Sequence, residues 1–80
     1  MAHRRLETRS ASGLSNRLAQ VRQAKGMTQS DLAAAAGVSR KTINTVERGV
    51  FVPSTILTLK LAALLDTPVE DLFWLSVDTR

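Results

Sequence analysis

The chain has 80 residues, of which 44% are hydrophobic and 22% charged, which is enough for one small core and not for two. The absence of Cys excludes disulfide frameworks, zinc fingers and thiol catalysis. With no Tyr, two Phe and one Trp, the composition favours an aliphatic, helical core. The net charge is +4, with nine Arg or Lys against three acids in residues 1–50 and two against four in residues 51–80. This asymmetry indicates an acidic partner such as nucleic acid, although a solvated basic surface would give the same pattern.

The N-terminal segment, residues 1–13, is rich in Arg, Ser and Thr and has little to bury, so we expect a flexible basic arm. No apolar stretch of signal-peptide or membrane-spanning length follows it. We therefore expect an unprocessed protein that acts in the cytoplasm and has no membrane association.

The remaining sequence predicts a single domain at residues 14–75, followed by a frayed end at 76–80. Apolar residues recur at helical spacing at its start and predict a first helix at 15–25. Ser15 is positioned to cap this helix, and Gly26 lies where it should stop.

Two further helices are predicted by capping residues. Thr28 and Asp31 have the spacing of a capping box and open a second helix, which Gly37 ends. Ser39 then caps a third helix at 40–48.

The last two predicted helices follow a short extended connector. Ser54 caps a fourth helix at about 55–65, which is apolar on more than one face and should be central. Pro68 fits the first turn of a fifth helix capped by Thr67. Five short helices with short connections predict a compact all-α fold.

The chain offers few groups for catalysis. Its one histidine, His3, lies in the basic arm, and the four glycines are spaced as helix punctuation and not as a phosphate loop. Glu70 and Asp71 fall in a first helical turn, where they complement the helix dipole without any catalytic role. We expect no enzymatic activity, no metal site and no cofactor.

Residues 28–49 have the pattern of a helix-turn-helix. Ala33 is small where two helices would cross, Gly37 can adopt the positive φ that a tight turn needs, and Val38 can fill the corner. Burying Ile43 and Val46 would leave five polar side chains of the third helix outward: Arg40, Lys41, Thr42, Asn44 and Thr45.

These outward side chains suit the major groove of DNA. Arg and Lys donate to guanine, Asn pairs with adenine, and Thr offers a hydroxyl and a methyl group. Ser39 and the free N–H groups of the helix start suit a phosphate or the first base edge. Any surface helix has a polar face, but two Thr and one Asn are poor helix formers, which favours a role other than helix stability.

The segments "MTQSDLAAAAGVSRKTINTVERG", "VPS", "LKLAALL" and "VEDLF" together resemble the Cro- and phage-repressor-like helix-turn-helix regulators, the xenobiotic-response-element (XRE) family. The resemblance covers about residues 14–73. It implies a five-helix, lambda-repressor-like DNA-binding domain that usually acts as a dimer on inverted-repeat operators.

The resemblance also implies roles for individual residues. Arg22 and Glu47 match a partly buried ion pair between the first and third helices, so Glu47 is expected to be structural. Gln29 would clamp a phosphate and could support the third helix, while Asn44 matches a position that the family uses less regularly. The positions implied to contact DNA are Gln29, Ser39, Arg40, Lys41, Thr42, Asn44, Thr45 and Arg48.

Several residues depart from the family pattern. Asp66 stands where Gly is usual, and Asp tolerates a left-handed cap. Phe51 lies in a connector where polar residues are common, and the arm with Arg4, Arg5 and Arg9 has no counterpart. The arm either follows the minor groove or moves freely.

The sequence thus predicts a sequence-specific, nucleoid-associated transcriptional regulator that is a repressor and binds double-stranded DNA as a homodimer. Leu72, Trp74 and Leu75 are candidate dimer residues, because a Trp beyond the last buried turn is more than one small core needs. Packing of Trp74 over the fourth helix is the alternative. A second functional class is a protein-interaction module, such as an antitoxin-like subunit that holds a toxin partner.

Overall fold

The computed structural model describes residues 8–9 and 13–76, and these residues form five helices and one small sheet. The helices are α1 (Leu18–Ala24), α2 (Gln29–Ala36), α3 (Arg40–Glu47), α4 (Thr55–Leu64) and α5 (Val69–Leu72). The strands β1 (Thr8–Arg9), β2 (Leu14–Asn16) and β3 (Phe73–Leu75) pair antiparallel in the order β1-β2-β3. The five predicted helices are present, but the all-α prediction is incomplete because of this three-stranded sheet.

The start of the first helix differs from the prediction. Residues 14–16 belong to β2, and Ser15 pairs with Trp74 of β3 and is buried, so it does not cap a helix. Helix α1 instead begins at Leu18, whose N–H donates to Oδ1 of Asn16 at 3.0 Å. Pairing with β3 holds the segment extended, although its apolar spacing fits a helix.

The sheet also involves both ends of the described chain. Thr8 and Arg9 lie in β1, in contrast to the flexible arm expected there, while residues 1–7 and 10–12 of that arm lie outside the described residues. Ser76 donates its N–H and its hydroxyl to the carbonyl of Gly13, at 2.6 and 2.9 Å. The rest of the predicted frayed end, residues 77–80, is likewise outside the described part.

The predicted caps of the three central helices are confirmed. Side chains of Thr28, Ser39 and Ser54 accept the N–H three residues ahead at 2.9, 3.1 and 3.0 Å. The predicted Thr67 cap of α5 is wrong, because the Thr67 hydroxyl donates to the carbonyl of Leu65 and Pro68 occupies the cap position. Asp66 has a φ of 50°, the left-handed conformation expected at its glycine-like position.

The core lies between the helices and is almost entirely aliphatic. Helix α2 packs against both α3 and α4, and it buries Ala33 and Ala36 while Ala34 and Ala35 are exposed. The core residues are Leu18, Leu32, Ala33, Ala36, Ile43, Val46, Leu57, Leu61, Ala62, Leu65, Leu72 and Phe73. The alanine run therefore has two small residues at helix contacts and two at the surface.

Thermal stability should depend on pH through the capping box of α2. The Thr28 N–H and hydroxyl hydrogen bonds lower the pKa of Asp31 below its ordinary value, because both favour the carboxylate. A carboxyl group whose pKa is lowered by folding stabilises the fold above its unfolded pKa, and this is lost as the pH falls through the folded pKa. We expect Asp31→Asn to melt below the wild type at neutral pH and to approach it below about pH 4. A melting difference that is constant across this range would contradict the assignment.

Candidate nucleic-acid interface

The turn between α2 and α3 is held by backbone hydrogen bonds. Gly37 has a φ of 75°, and this left-handed conformation lets the Val38 N–H donate back to the carbonyl of Ala33 at 3.0 Å. Val38 also packs against the core. The turn thereby fixes the direction in which α3 leaves α2.

Helix α3 has one buried face and one polar outward face. Ile43, Val46 and Glu47 are buried. Among the predicted contact residues of this region, the exposed ones are Ser39, Arg40, Lys41 and Arg48, and the half-buried ones are Thr42, Asn44 and Thr45. The structure thus brings all seven to the same helix and its caps.

The charged side chains on the outward face of α3 are all cationic. Arg40, Lys41 and Arg48 are exposed, whereas the one acid of the helix, Glu47, is turned into the core. No carboxylate of α3 therefore opposes an approaching polyanion. This distribution gives the helix a positive surface next to its free N-terminal N–H groups.

The buried acid Glu47 is neutralised by Arg22 of α1. Arg22 Nε donates to Oε2 of Glu47 at 2.6 Å and Nη2 donates to Oε1 at 3.2 Å, which is a bidentate arrangement. Arg22 Nη1 also donates to the carbonyl of Met27 at 2.8 Å. Because the two side chains are only 8% and 6% exposed, this pair links α1 to α3 with little contact with solvent.

Gln29, the first residue of α2, faces α3. Its Nε2 group donates to Oε1 of Glu47 at 2.9 Å and to Oδ1 of Asn44 at 3.3 Å. Both amide hydrogens of Gln29 are therefore used inside the protein, where they support α3. In this arrangement the Gln29 side chain has no donor left for a phosphate. Asn44 retains its Nδ2 donors for an external acceptor.

The hydroxyl groups of α3 are bonded locally. Thr45 Oγ1 lies 3.0 Å from the carbonyls of both Lys41 and Thr42, and Ser39 Oγ lies 2.9 Å from Thr42 Oγ1. These residues can offer a groove acceptor oxygens and methyl groups. Only one hydrogen bond joins the Ser39 and Thr42 hydroxyls, so one of their two hydrogens is not used by it. The other unoccupied side-chain donors of α3 and its caps belong to Arg40, Lys41, Arg48 and Asn44.

Sequence reasoning missed Asn16, which positions the end of α3. Asn16 is buried in β2, and its Nδ2 donates to the carbonyl of Val46 at 3.1 Å. Its Oδ1 accepts the Leu18 N–H that begins α1. An Asn just before an apolar helical repeat is a cap signal, and could have indicated that α1 starts after residue 16.

A helix-turn-helix family model matches residues 18–72, which is more than half of the chain. The chain belongs to the XRE family of helix-turn-helix regulators. As an XRE-family member it is a transcriptional regulator with a helix-turn-helix DNA-binding domain, and such regulators are typically not enzymes.

Two relatives place this XRE-family chain among small regulators. It is 36% identical over 62 residues to the HTH-type transcriptional regulator YgzD of Bacillus subtilis, covering 78% of this chain and 94% of YgzD. It is 40% identical over 60 residues to the HTH-type transcriptional regulator MJ0272 of Methanocaldococcus jannaschii, covering 75% of this chain and 91% of that protein.

Two solved structures share the XRE-family fold with this chain. The restriction-modification controller protein C.AhdI of Aeromonas hydrophila superposes with a TM-score of 0.64 at 39% identity, covering 68% of this chain and 82% of C.AhdI. The clp gene regulator ClgR of Corynebacterium glutamicum gives a TM-score of 0.64 at 33% identity, over 68% of this chain and 57% of ClgR.

The candidate dimer residues of this XRE-family chain lie in different environments. Leu72 is fully buried, so it belongs to the core and has no surface to offer a partner. The ring of Trp74 is half-buried, with the guanidinium carbon of Arg17 5.0 Å from its centroid, while Leu75 is 69% exposed. Across residues 8–9 and 13–76, no helix has the length and apolar character needed to cross a bilayer.

Proposed function

We propose that this regulator is a repressor that binds an inverted-repeat operator as a homodimer and reads the major groove with α3. The observation that carries the proposal is the outward face of α3, where Arg40, Lys41 and Arg48 are exposed and the only acid of the helix is buried and paired. Such a surface can approach phosphates without opposing charge. The protein would act in the cytoplasm, associated with the nucleoid.

Base reading would come mainly from the first turns of α3. Arg40 and Lys41 can donate to O6 and N7 of guanine, and the Nδ2 group of Asn44 can donate to a base acceptor. Arg48 and the N–H groups after Ser39 would bind phosphates and fix the register. Each good base contact is worth about 1–3 kcal/mol of discrimination.

The small size of the domain supports the proposed homodimer. Its described part measures 40 × 23 × 19 Å, and it presents one groove-reading helix. Two copies related by a two-fold axis would read two half-sites roughly 34 Å apart, or one helical turn of DNA. A dimer bound to both half-sites would repress transcription by excluding other proteins from the same stretch of DNA.

Replacing Lys41 by alanine should reduce discrimination between the operator and unrelated DNA. The operator would first be enriched from random duplex DNA with the wild type, and affinities would then be measured by fluorescence anisotropy. We expect Lys41→Ala to lower the ratio of operator to non-specific affinity about 10-fold or more. Lys60→Ala removes an equally charged, exposed side chain from α4 and should leave the ratio unchanged.

Two results would contradict groove reading by α3. One is that the wild type enriches no motif from the random duplexes. The other is that Lys41→Ala keeps the wild-type ratio of operator to non-specific affinity, as Lys60→Ala is expected to do. This includes a loss of affinity that is uniform over all sequences, which would assign Lys41 to a phosphate contact.

A further inference from the structure

The hydrogen bonds between α2 and α3 fix the orientation of the Asn44 amide. They begin at Glu47, whose two side-chain oxygens both accept from the guanidinium of Arg22, at 2.6 and 3.2 Å. A guanidinium can only donate, so Glu47 is an acceptor at both oxygens. The Gln29 atom that lies 2.9 Å from Oε1 of Glu47 must therefore be the nitrogen Nε2, and not the amide oxygen.

The same nitrogen determines which atom of Asn44 faces the protein. Gln29 Nε2 lies 3.3 Å from Oδ1 of Asn44, and it can only donate. If the Asn44 amide were turned round, two N–H₂ groups would face each other at this distance. The polar atoms of an amide lie on separate branches, so the Nδ2 group of Asn44 is directed away from Gln29.

This orientation restricts what Asn44 can recognise in the major groove. Pairing with adenine uses both atoms of an Asn amide, because the oxygen accepts from N6 while the nitrogen donates to N7. Oδ1 of Asn44 is already bonded to Gln29, so Nδ2 is the group left for a base. Guanine presents two acceptors, O6 and N7, where adenine has one acceptor and one donor. A side chain that only donates therefore matches guanine and opposes the N6 group of adenine.

We propose that Gln29 is a positioning residue that makes Asn44 select guanine. Asn44 lies one helical turn after the exposed Arg40, so both side chains lie on the same side of α3. Both offer donors only, which suits the acceptor-rich edge of guanine. The inference rests on the proposed reading of the major groove by α3 and specifies a base that this helix prefers.

Gln is the residue type that position 29 needs for this role. Its side chain carries two hydrogens on one nitrogen, and these bond to Glu47 and Asn44 at the same time. A Glu would set its carboxylate against that of Glu47, and a Met has no donor. The side chain at position 29 thus decides whether Oδ1 of Asn44 is occupied or free.

Three substitutions separate positioning by Gln29 from a general effect on the fold. Gln29→Met keeps a similar length and removes both donors, so Oδ1 of Asn44 becomes free to accept from a base. Gln23→Met makes the same change at an exposed position of α1 and is the matched control. Asn44→Asp leaves Gln29 in place, because one Asp oxygen still accepts from Nε2 while the other presents an acceptor to the groove.

The test measures affinities for duplexes that differ in a single base pair. The operator is enriched from random duplex DNA with the wild type, and the position whose base preference disappears in Asn44→Ala is assigned to Asn44. There we expect the wild type and Gln23→Met to bind guanine about 10-fold or more tighter than adenine. The ratio should fall to about 2-fold or less in Gln29→Met, because Asn44 can then pair with adenine as well. Asn44→Asp should prefer adenine, whose N6 group is a donor.

The ratio of guanine to adenine affinity decides the proposal. If Gln29 only stabilised the fold, Gln29→Met would lower the affinity for every duplex equally and keep the wild-type ratio, which would overturn it. A wild type that prefers adenine at the position assigned to Asn44 would also overturn it. Circular dichroism establishes that the variants are folded. If Gln29→Met does not fold, Asn44→Asp carries the test, and an unchanged preference for guanine in that variant overturns the proposal.

Failure of this inference is distinguishable from failure of groove reading. If Lys41→Ala loses discrimination while Asn44→Ala changes no base preference, α3 reads the groove but Asn44 does not select guanine. A wild type that enriches no motif contradicts the proposed function and this inference with it. Without DNA, the side-chain amide hydrogens of Gln29 should exchange with solvent about 5-fold or more slowly than those of the exposed Gln23. Equal exchange rates would overturn the positioning role of Gln29.

Discussion

Replacing Glu47 by alanine should lower the free energy of unfolding by about 3–5 kcal/mol, because the guanidinium of Arg22 would stay buried without its counter-charge. The substitution also removes the acceptor at 2.9 Å from Gln29 Nε2. Urea unfolding followed by circular dichroism measures this change directly. We expect the largest loss here because a buried cation without a partner is among the most costly defects in a small core.

Two comparisons identify the source of this loss. Glu70→Ala removes an exposed acid from the first turn of α5 and should change the free energy of unfolding by no more than about 1 kcal/mol. The double variant Arg22→Met with Glu47→Leu removes both charges and should recover most of the stability lost in Glu47→Ala. Equal unfolding curves for Glu47→Ala and Glu70→Ala would refute the role of the ion pair.

Ala33→Leu should destabilise the domain by about 3 kcal/mol, at the upper end of the range for overpacked cores. Ala33 is only 3% exposed in the helix that packs on both α3 and α4, so three added carbons must displace one of them. Ala34→Leu adds the same atoms one residue later, at an exposed position, and should change stability by about 0.5 kcal/mol or less.

The stability of these two variants is measured by urea unfolding, and the near-ultraviolet circular dichroism of Trp74 reports on their tertiary packing. If Ala33→Leu and Ala34→Leu unfold at the same urea concentration, then the size of residue 33 does not set the contact between the helices.

The helices could be predicted because their signals are local. Caps such as Thr28, Ser39 and Ser54 and the left-handed Gly37 act within three or four residues, and the structure has them as expected. The sheet could not be predicted in this way. Its central strand pairs with β3 near the other end of the described chain, and helical spacing of apolar residues before α1 gave no sign of that partner.

The candidate site was predictable to the same extent. Periodicity placed Ile43 and Val46 inward and left Arg40 and Lys41 outward, as the structure has them. It could not show that Gln29 uses its amide hydrogens on Asn44 and Glu47, because those contacts join different helices.

The exposure of the apolar connector at residues 50–52 was visible in the sequence only as an unexplained Phe51. A run of apolar residues gives no indication of whether it is buried, and the direction of these side chains depends on tertiary structure. The bonds from the connector to Thr45 provide that direction.

The small sheet has a consequence for the order of assembly. Its contacts close a long loop, since Ser76 and Gly13 are 63 positions apart, and the entropy cost of closure grows with loop length. We expect the sheet to close after the helices have collapsed and shortened that distance. Asn16, in its central strand, donates to one carbonyl in the last turn of α3, that of Val46. We therefore expect the orientation of α3, the helix proposed to read the groove, to be completed in the final step of folding, when the two ends of the described domain meet.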